Sequence, residues 1–439
     1  MEDQEFERDE QRLEARRLKR LEQKRKRLMQ QRIVLGVLAL ILILVIVLIV
    51  RGCSKKQAAA APSSSSAASS SAASSSASAV ETKPNTVATL AAVGDIMVYD
   101  NQISDAEQAD GTYSFDDCFK AISAYTMGAD LTVGNLELNF CGSPYSGFPN
   151  FRAPESLAAT LANVGFDLVQ TANTYSIQNG MTGLQATIHY LDAAKIDHVG
   201  TCATEDERTE TNGVVVKDMN GIKVAFIGFT KGVNNSSMPD GTEFAINLLY
   251  TDYSSNYSQV NEDAIVKQVE AAKAVSADVI VAMVHWGGEG DLEPVDTQTK
   301  IKDILFQNGV DVILGSHSHL VGPMQEEAVT TKDGTKKTCF VAYSLGNFLT
   351  GKEADGYNIS CILNLQFTKD GETGETTISK ISYLPVYIMD SGTSADVEFQ
   401  VLPIRSAISS GLFPDQTQTM TDAIAKLRVD TDSDYDSGE

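Results

Sequence analysis

Hydrophobic and polar positions along the chain fall into three regimes. Residues 1–32 are charged throughout, lack proline and glycine, and read as a basic helix centred on RRLKRLEQKRKR at 16–27. Residues 33–50 are an unbroken apolar run without a charge. As a helix rising 1.5 Å per residue the run spans roughly 27 Å of hydrocarbon, so it is predicted to be a transmembrane signal anchor. Residues 51–85 are dominated by serine and alanine. Without large apolar groups they cannot offset the entropy of ordering, and they read as a flexible linker.

From residue 86 the pattern changes to short apolar runs alternating with helical periodicity. Strands are predicted over 86–93, 131–133, 166–170, 279–284 and 310–314, and helices over 115–125, 154–164, 183–194, 264–277 and 297–307. Residues 214–229 read as a hairpin turning at Asn220 and Gly221. The segments CFVAYSLGNF, ISCILNLQF and TTISKISYLPVYIM add strand-rich hairpins towards the carboxyl end. The fold class expected is α/β with added antiparallel strands, in one domain over 86–400, followed by an extension with an acidic tail over 401–439.

Charge sharpens this division. The chain has a formal net charge of -23, but residues 1–56 carry 14 Lys and Arg against 8 Asp and Glu, leaving -29 on the rest. The basic flank before the apolar run places the amino terminus in the cytoplasm and the main domain outside the cell membrane. So acidic an outer part excludes nucleic acid as a partner, and it repels polyanions except at a local cationic site such as a bound metal. Cys118, Cys141, Cys202, Cys339 and Cys361 lack zinc-finger spacing, and a small buried hydrophobe is the role expected for most of them.

Candidate chemistry gathers at strand ends. Two of the five histidines, His317 and His319, follow the apolar run VDVIL in the loop GSHSH. In extended backbone, side chains two apart face the same way about 6.5 Å apart, which suits one cation or a close pair of them. Asp95, Glu137, Asn173 and His285 also stand at or just beyond the carboxyl ends of predicted strands, the edge where open α/β sheets bind ligands. Carboxylates and imidazoles without cysteine suit zinc, manganese or iron(II). The chemistry implied is metal-assisted hydrolysis, with His285, His317 and His319 nearest the reaction. Each residue also has an ordinary reading: Asp95 as a turn or cap, Asn173 as a turn residue, His285 beside Trp286 as a packed core histidine.

Several blocks, in order, resemble a known family. They are VGDIM at 93–97, GNLE at 134–137, FRAP at 151–154, GFDLVQTAN at 165–173, GLQAT at 183–187, VHWGGE at 284–289, ILGSHSH at 313–319 and YSLGNF at 343–348. Together they resemble the bacterial capsule synthesis protein CapA family, also called the poly-γ-glutamate synthesis family. The resemblance implies a calcineurin-like metallophosphatase fold, a two-sheet sandwich flanked by helices, with metal positions at Asp95, Glu137, His285, His317 and His319.

The chain departs from that pattern where the family usually reads ANNH. Thr174 stands in place of the second asparagine, a ligand, and Tyr175 in place of the histidine that donates a proton. A hydroxyl is a poorer cation ligand than an amide oxygen, and a tyrosine is a poorer acid near neutrality than histidine. Three functions follow from the resemblance. One is a membrane-anchored protein working with capsule synthesis machinery in the synthesis, assembly or export of an anionic surface polymer. The others are a metal-dependent phosphoesterase and a cell-envelope binding module with a degenerate metal site.

Overall fold

Strands with both faces buried dominate the molecule, which explains why so many of them read as continuous apolar runs rather than as alternating ones. The structure, a computed structural model, describes residues 83–392 and 397–439. The first sheet begins with four parallel strands, β1 (Thr86–Ile96), β2 (Leu131–Leu136), β3 (Leu168–Gln170) and β4 (Asp197–Val199). The chain then builds a second sheet from β5 (Val215–Met219), β6 (Ile222–Thr230), β7 (Val279–His285), β8 (Val312–Ser316), β9 (Met324–Thr330) and β10 (Lys336–Ala342). It returns to the first sheet with β11 (Asn347–Leu349), β12 (Ile359–Lys369), β13 (Thr376–Asp390) and β14 (Phe399–Pro403). The strand orders are β14-β13-β12-β1-β2-β3-β4, with β11 paired to β1, and β5-β6-β7-β8-β10-β9.

The period-two geometry of strands assigns each side chain to a layer. Leu90 and Ala92 of β1 meet Val224 and Phe226 of β6 and Val281 and Met283 of β7 between the sheets. Ala91 and Val93 turn outward to Phe115, Phe119, Leu157 and Leu161, while Ala225, Ile227, Ile280 and Ala282 turn outward on the other side. Helices close both outer faces. In chain order they are α1 (Asp100–Ala106), α2 (Asp116–Phe119), α3 (Ser123–Thr126), α4 (Ser156–Asn163), α5 (Gly180–Ala194), α6 (Glu205–Thr211), α7 (Glu262–Ala274), α8 (Asp296–Asn308), α9 (Ile404–Ser410) and α10 (Thr417–Asp430). Ile265, Val269 and Ala272 form one stripe of α7 against the second sheet, at the spacing that puts them on one face. The result is a two-sheet α/β sandwich flanked by helices.

The hairpin turn falls at Asn220 and Gly221, both at positive φ, which matches the twist of the strands that it joins. Residues 115–125 form α2 and α3 rather than one helix. Beyond β14, α9 and α10 pack Ile404, Ala407, Met420 and Ala423 against Tyr387, Met389 and Leu402. Cys339 and Cys361 lie on β10 and β12, in different sheets, and neither forms a disulfide. The basic helix, the apolar run at 33–50 and the serine- and alanine-rich stretch up to residue 82 lie outside the described residues. Among the described residues no helix is long and apolar enough to cross a membrane.

Candidate metal centre

Both sheets deliver polar residues to one edge, the carboxyl end of their parallel strands. From the first sheet come Asp95 near the end of β1, Glu137 just past β2 and the 173–175 segment beyond β3. From the second come Lys231 after β6, His285 ending β7, and His317 and His319 after β8. Asp95, Glu137 and His285 are fully buried and His319 is 5% exposed, so the donors sit where an unpaired charge is costly. His317, Thr174, Tyr175 and Lys231 are half-buried and form the open side of the cluster.

Close backbone approach makes the edge possible. A Cβ on Gly94 would lie 1.9 Å from the Gly346 carbonyl, and one on Gly315 would lie 2.0 Å from the Tyr343 carbonyl. Both positions therefore need glycine, and the Gly94 contact lets the Asp95 amide bond Gly346 at 2.9 Å. The loop carrying the two histidines is not extended. His317 has φ 100° and His319 φ 62°, in the region that side chains rarely adopt. Their rings still lie 6.2 Å apart, but the loop turns them into different groups.

Two groups of three ligand-type atoms lie within 4.8 Å of one another, Asp95–Glu137–His319 and Glu137–His285–His317. Glu137 belongs to both. Its Oε1 is buried without a hydrogen-bond donor, and the nearest imidazole nitrogen, His285 Nε2, is 3.4 Å away. A buried carboxylate oxygen left in this state is what a cation would satisfy. His319 Nδ1 lies 3.0 Å from both Asp95 Oδ2 and Asn347 Oδ1, which makes it the donor and leaves Nε2 with its lone pair for a metal. His285 Nδ1 is held in the same way by Ser316 Oγ at 2.9 Å. The residues present fit a divalent metal.

Electrostatics separate the two loop histidines: without a cation the carboxylates hold a second proton on His319, which a metal at Nε2 would have to displace, whereas His317 is kept neutral. Burial alone would raise the Asp95 carboxyl, but the His319 hydrogen bond and charge, with the charge of His285, outweigh it and hold the group below its ordinary range. Burial would lower His319, yet its bond to Asp95 and the charge of Glu137 push it up to about 9. His317 is driven well below its ordinary value by burial and then by the charges of His285, Lys231 and His319, so it stays neutral, the form that binds metals.

Asn173, Thr174 and Tyr175 play three separate parts. The Asn173 amide is spent on structure: Nδ2 donates to the Leu136 carbonyl at 2.7 Å and Oδ1 accepts from the Tyr175 amide at 3.1 Å. Thr174 Oγ1 lies 2.9 Å from His285 Nε2 and 3.4 Å from His317 Nδ1, inside the second group. Tyr175 packs on Phe151 with ring centroids 4.4 Å apart, and burial followed by the charges of Glu137 and Glu289 raises its hydroxyl above the ordinary tyrosine value. Sequence reasoning passed over Asn135, which donates to Asp95 Oδ1 at 2.7 Å, and Asn347, which orients His319. Both lie inside the blocks GNLE and YSLGNF, and a buried amide within an apolar strand was the available signal. Lys231 was passed over as well.

A two-sheet α/β protein with a buried carboxylate–imidazole centre shared between its sheets is the class that these features define. The chain belongs to the bacterial capsule synthesis protein family, whose model matches residues 89–352. It is 26% identical to the capsule biosynthesis protein CapA of Bacillus anthracis over 279 residues, covering 62% of this chain and 61% of that one. It is 23% identical to the PGA biosynthesis protein CapA of Bacillus subtilis (strain 168), covering 69% of this chain and 73% of that one. The chain thus spans about three fifths of the Bacillus anthracis protein's length. Among solved structures, a phosphatase from Mycoplasma pneumoniae overlaps 69% of this chain and 94% of its own at 13% identity and a TM-score of 0.36. An overlap of that extent says nothing of activity.

Proposed function

We propose that this chain is a membrane-anchored, outward-facing capsule-synthesis protein that uses a divalent-metal centre to handle an anionic surface polymer of the poly-γ-glutamate type. The observation that carries the reading is the convergence of Asp95, Glu137, His285, His317 and His319 from two sheets into two adjoining groups that share Glu137, in a chain of the capsule synthesis family. The basic flank ahead of the apolar run at 33–50 supports the orientation, since excess Lys and Arg stay on the cytoplasmic side.

When bound, a divalent cation supplies Lewis acidity toward a substrate oxyanion and toward water. The chain's own residues set the rest. Glu137 joins the two groups, Asn347 and Asp95 fix the ring of His319, and Ser316 fixes His285. Proton donation to a leaving group is the weak point, because the position that would supply it holds Tyr175 with its raised hydroxyl. Metal binding with feeble hydrolysis, and so a role in holding or passing polymer, is the expected balance. The test is deletion of the gene in its host and complementation with wild type or with a His317→Ala, His319→Ala double variant. Surface polymer restored by wild type and not by the variant supports the reading; equal restoration by both overturns the metal centre's part in it.

A further inference from the structure

The outer part of the chain carries -29, yet one lysine at the open side of the metal centre has no carboxylate partner. Lys231 follows β6 directly and is half-buried. Its ammonium donates to the Gly287 carbonyl at 2.6 Å, lies 3.4 Å from His317 Nε2 and sits 4.5 Å over the ring of Tyr257. Asp291 acts on it only through space, and among the described residues no carboxylate oxygen comes within ion-pair distance. An ammonium has three donors. The Gly287 carbonyl takes one, and a His317 that ligates a metal through Nδ1 keeps its proton on Nε2 and accepts none, so donors remain for a ligand.

Lysine is an unexpected residue here. Its ammonium abuts the His317 imidazole beside the place of a prospective cation, where a second positive charge is disfavoured. By contrast Lys352, nearby at the rim, is paired with Glu289, as surface lysines of this protein commonly are. A positive group held without a counter-ion beside a metal centre is placed to meet an anion arriving from outside, and it supplies the local cationic site without which so acidic a protein repels polyanions.

We propose that Lys231 is the anion-holding residue of this centre, its ammonium gripping an oxygen of a phosphoryl or carboxylate group presented to Glu137, His285 and His317. The proposal rests on the metal-centre reading above and adds the class of ligand, an oxyanion, and the residue that positions it. Lys231 is a positioning residue. It fixes the angle at which the oxyanion meets the centre, and it takes no part in breaking bonds.

The test uses the full-length chain in detergent, titrated calorimetrically with Mn²⁺, with inorganic phosphate and with glutarate, each anion with and without Mn²⁺. Lys231→Met should weaken phosphate or glutarate by about tenfold, the loss of one charge-assisted hydrogen bond. Lys231→Arg should recover most of it. Whichever anion shows the loss identifies the source of the oxyanion. Mn²⁺ affinity should hold or rise in Lys231→Met, because a like charge beside His317 is gone; a residue that merely props the loop would lose Mn²⁺ and anion together. Lys352→Met should match wild type. Unchanged anion affinity in Lys231→Met, a parallel fall in Mn²⁺ affinity, or no anion binding by wild type overturns the proposal. If wild type binds no Mn²⁺, the metal reading falls by itself, and the metal-free anion titrations still decide the role of Lys231.

Discussion

His317 and His319 stand at positive φ in the loop after β8, a conformation that costs of order 1–3 kcal/mol per residue and persists only where surrounding contacts enforce it. Here the contacts are those of the centre: the His317 amide approaches Asp95 Oδ2 at 3.4 Å, and the His319 ring bonds the same oxygen. A ligand that binds only the folded state raises its stability by mass action. Mn²⁺ or Zn²⁺ should therefore raise the melting temperature of wild type, and His317→Ala or His319→Ala should abolish the rise, as read by differential scanning fluorimetry. Thr174→Asn with Tyr175→His should increase hydrolysis of an activated phosphodiester, within the factor of about 10² to 10⁴ that acid catalysis contributes; no increase would mean that more than these two positions has been lost. Gly94→Ala should be among the most damaging single substitutions, about 4 kcal/mol or more in denaturant unfolding, because its methyl would occupy the Gly346 carbonyl.

Elements differed in how plainly they could be read from sequence, and the reason lies in which faces they bury. Strands β1, β7 and β8 bury both faces and stood out as apolar runs, and α5, α7 and α8 each keep a buried stripe. In contrast α6 buries no side chain at all, so its sequence EDERTET carries no period to detect. β4 has three residues, too few for any pattern. The strand ends were legible enough to collect Asp95, Glu137, His285, His317 and His319, whereas the parts played by Asn135, Asn347 and Lys231 depend on contacts with residues far away in sequence. The far end of the chain offers a test of how α9 and α10 are held. Arg405 of α9 and Arg428 of α10 both reach Asp436, tying the acidic tail to those two helices. Burial would raise the Asp436 carboxyl, but the Arg405 hydrogen bond and charge, with the Gly438 amide, hold it below its reference of 3.8. A depressed carboxylate stabilises fully above the unfolded value and ceases to as pH falls through the folded one. The melting-temperature gap between wild type and Asp436→Asn should thus be constant from about pH 5 upward and close as the pH drops below 3.8.

At the scale of the whole molecule, the sequence divides into a basic segment, an apolar run, a serine- and alanine-rich stretch and the two-sheet unit, Pro84–Glu107 with Gly111–Glu439. A protease added to intact cells should release a large fragment whose amino terminus lies within the serine- and alanine-rich stretch, identified by terminal sequencing. Protection of that fragment would reverse the proposed orientation. The two-sheet unit itself has a divided centre. Asp95 and His319, 224 positions apart, meet from opposite sheets, and Glu137 meets His285 across the same seam. A cation gripped by both sides works as a removable rivet, doing for the sandwich what a covalent cross-link between distant residues does for a loop. Chelation should then let the sheets breathe at that one seam: amides around Asp95, Glu137, His285 and Ser316 should exchange faster with solvent, while the β5–β6 hairpin at the far edge keeps its protection. On the function proposed above, the grip on an anionic polymer would then follow the metal supply around the domain.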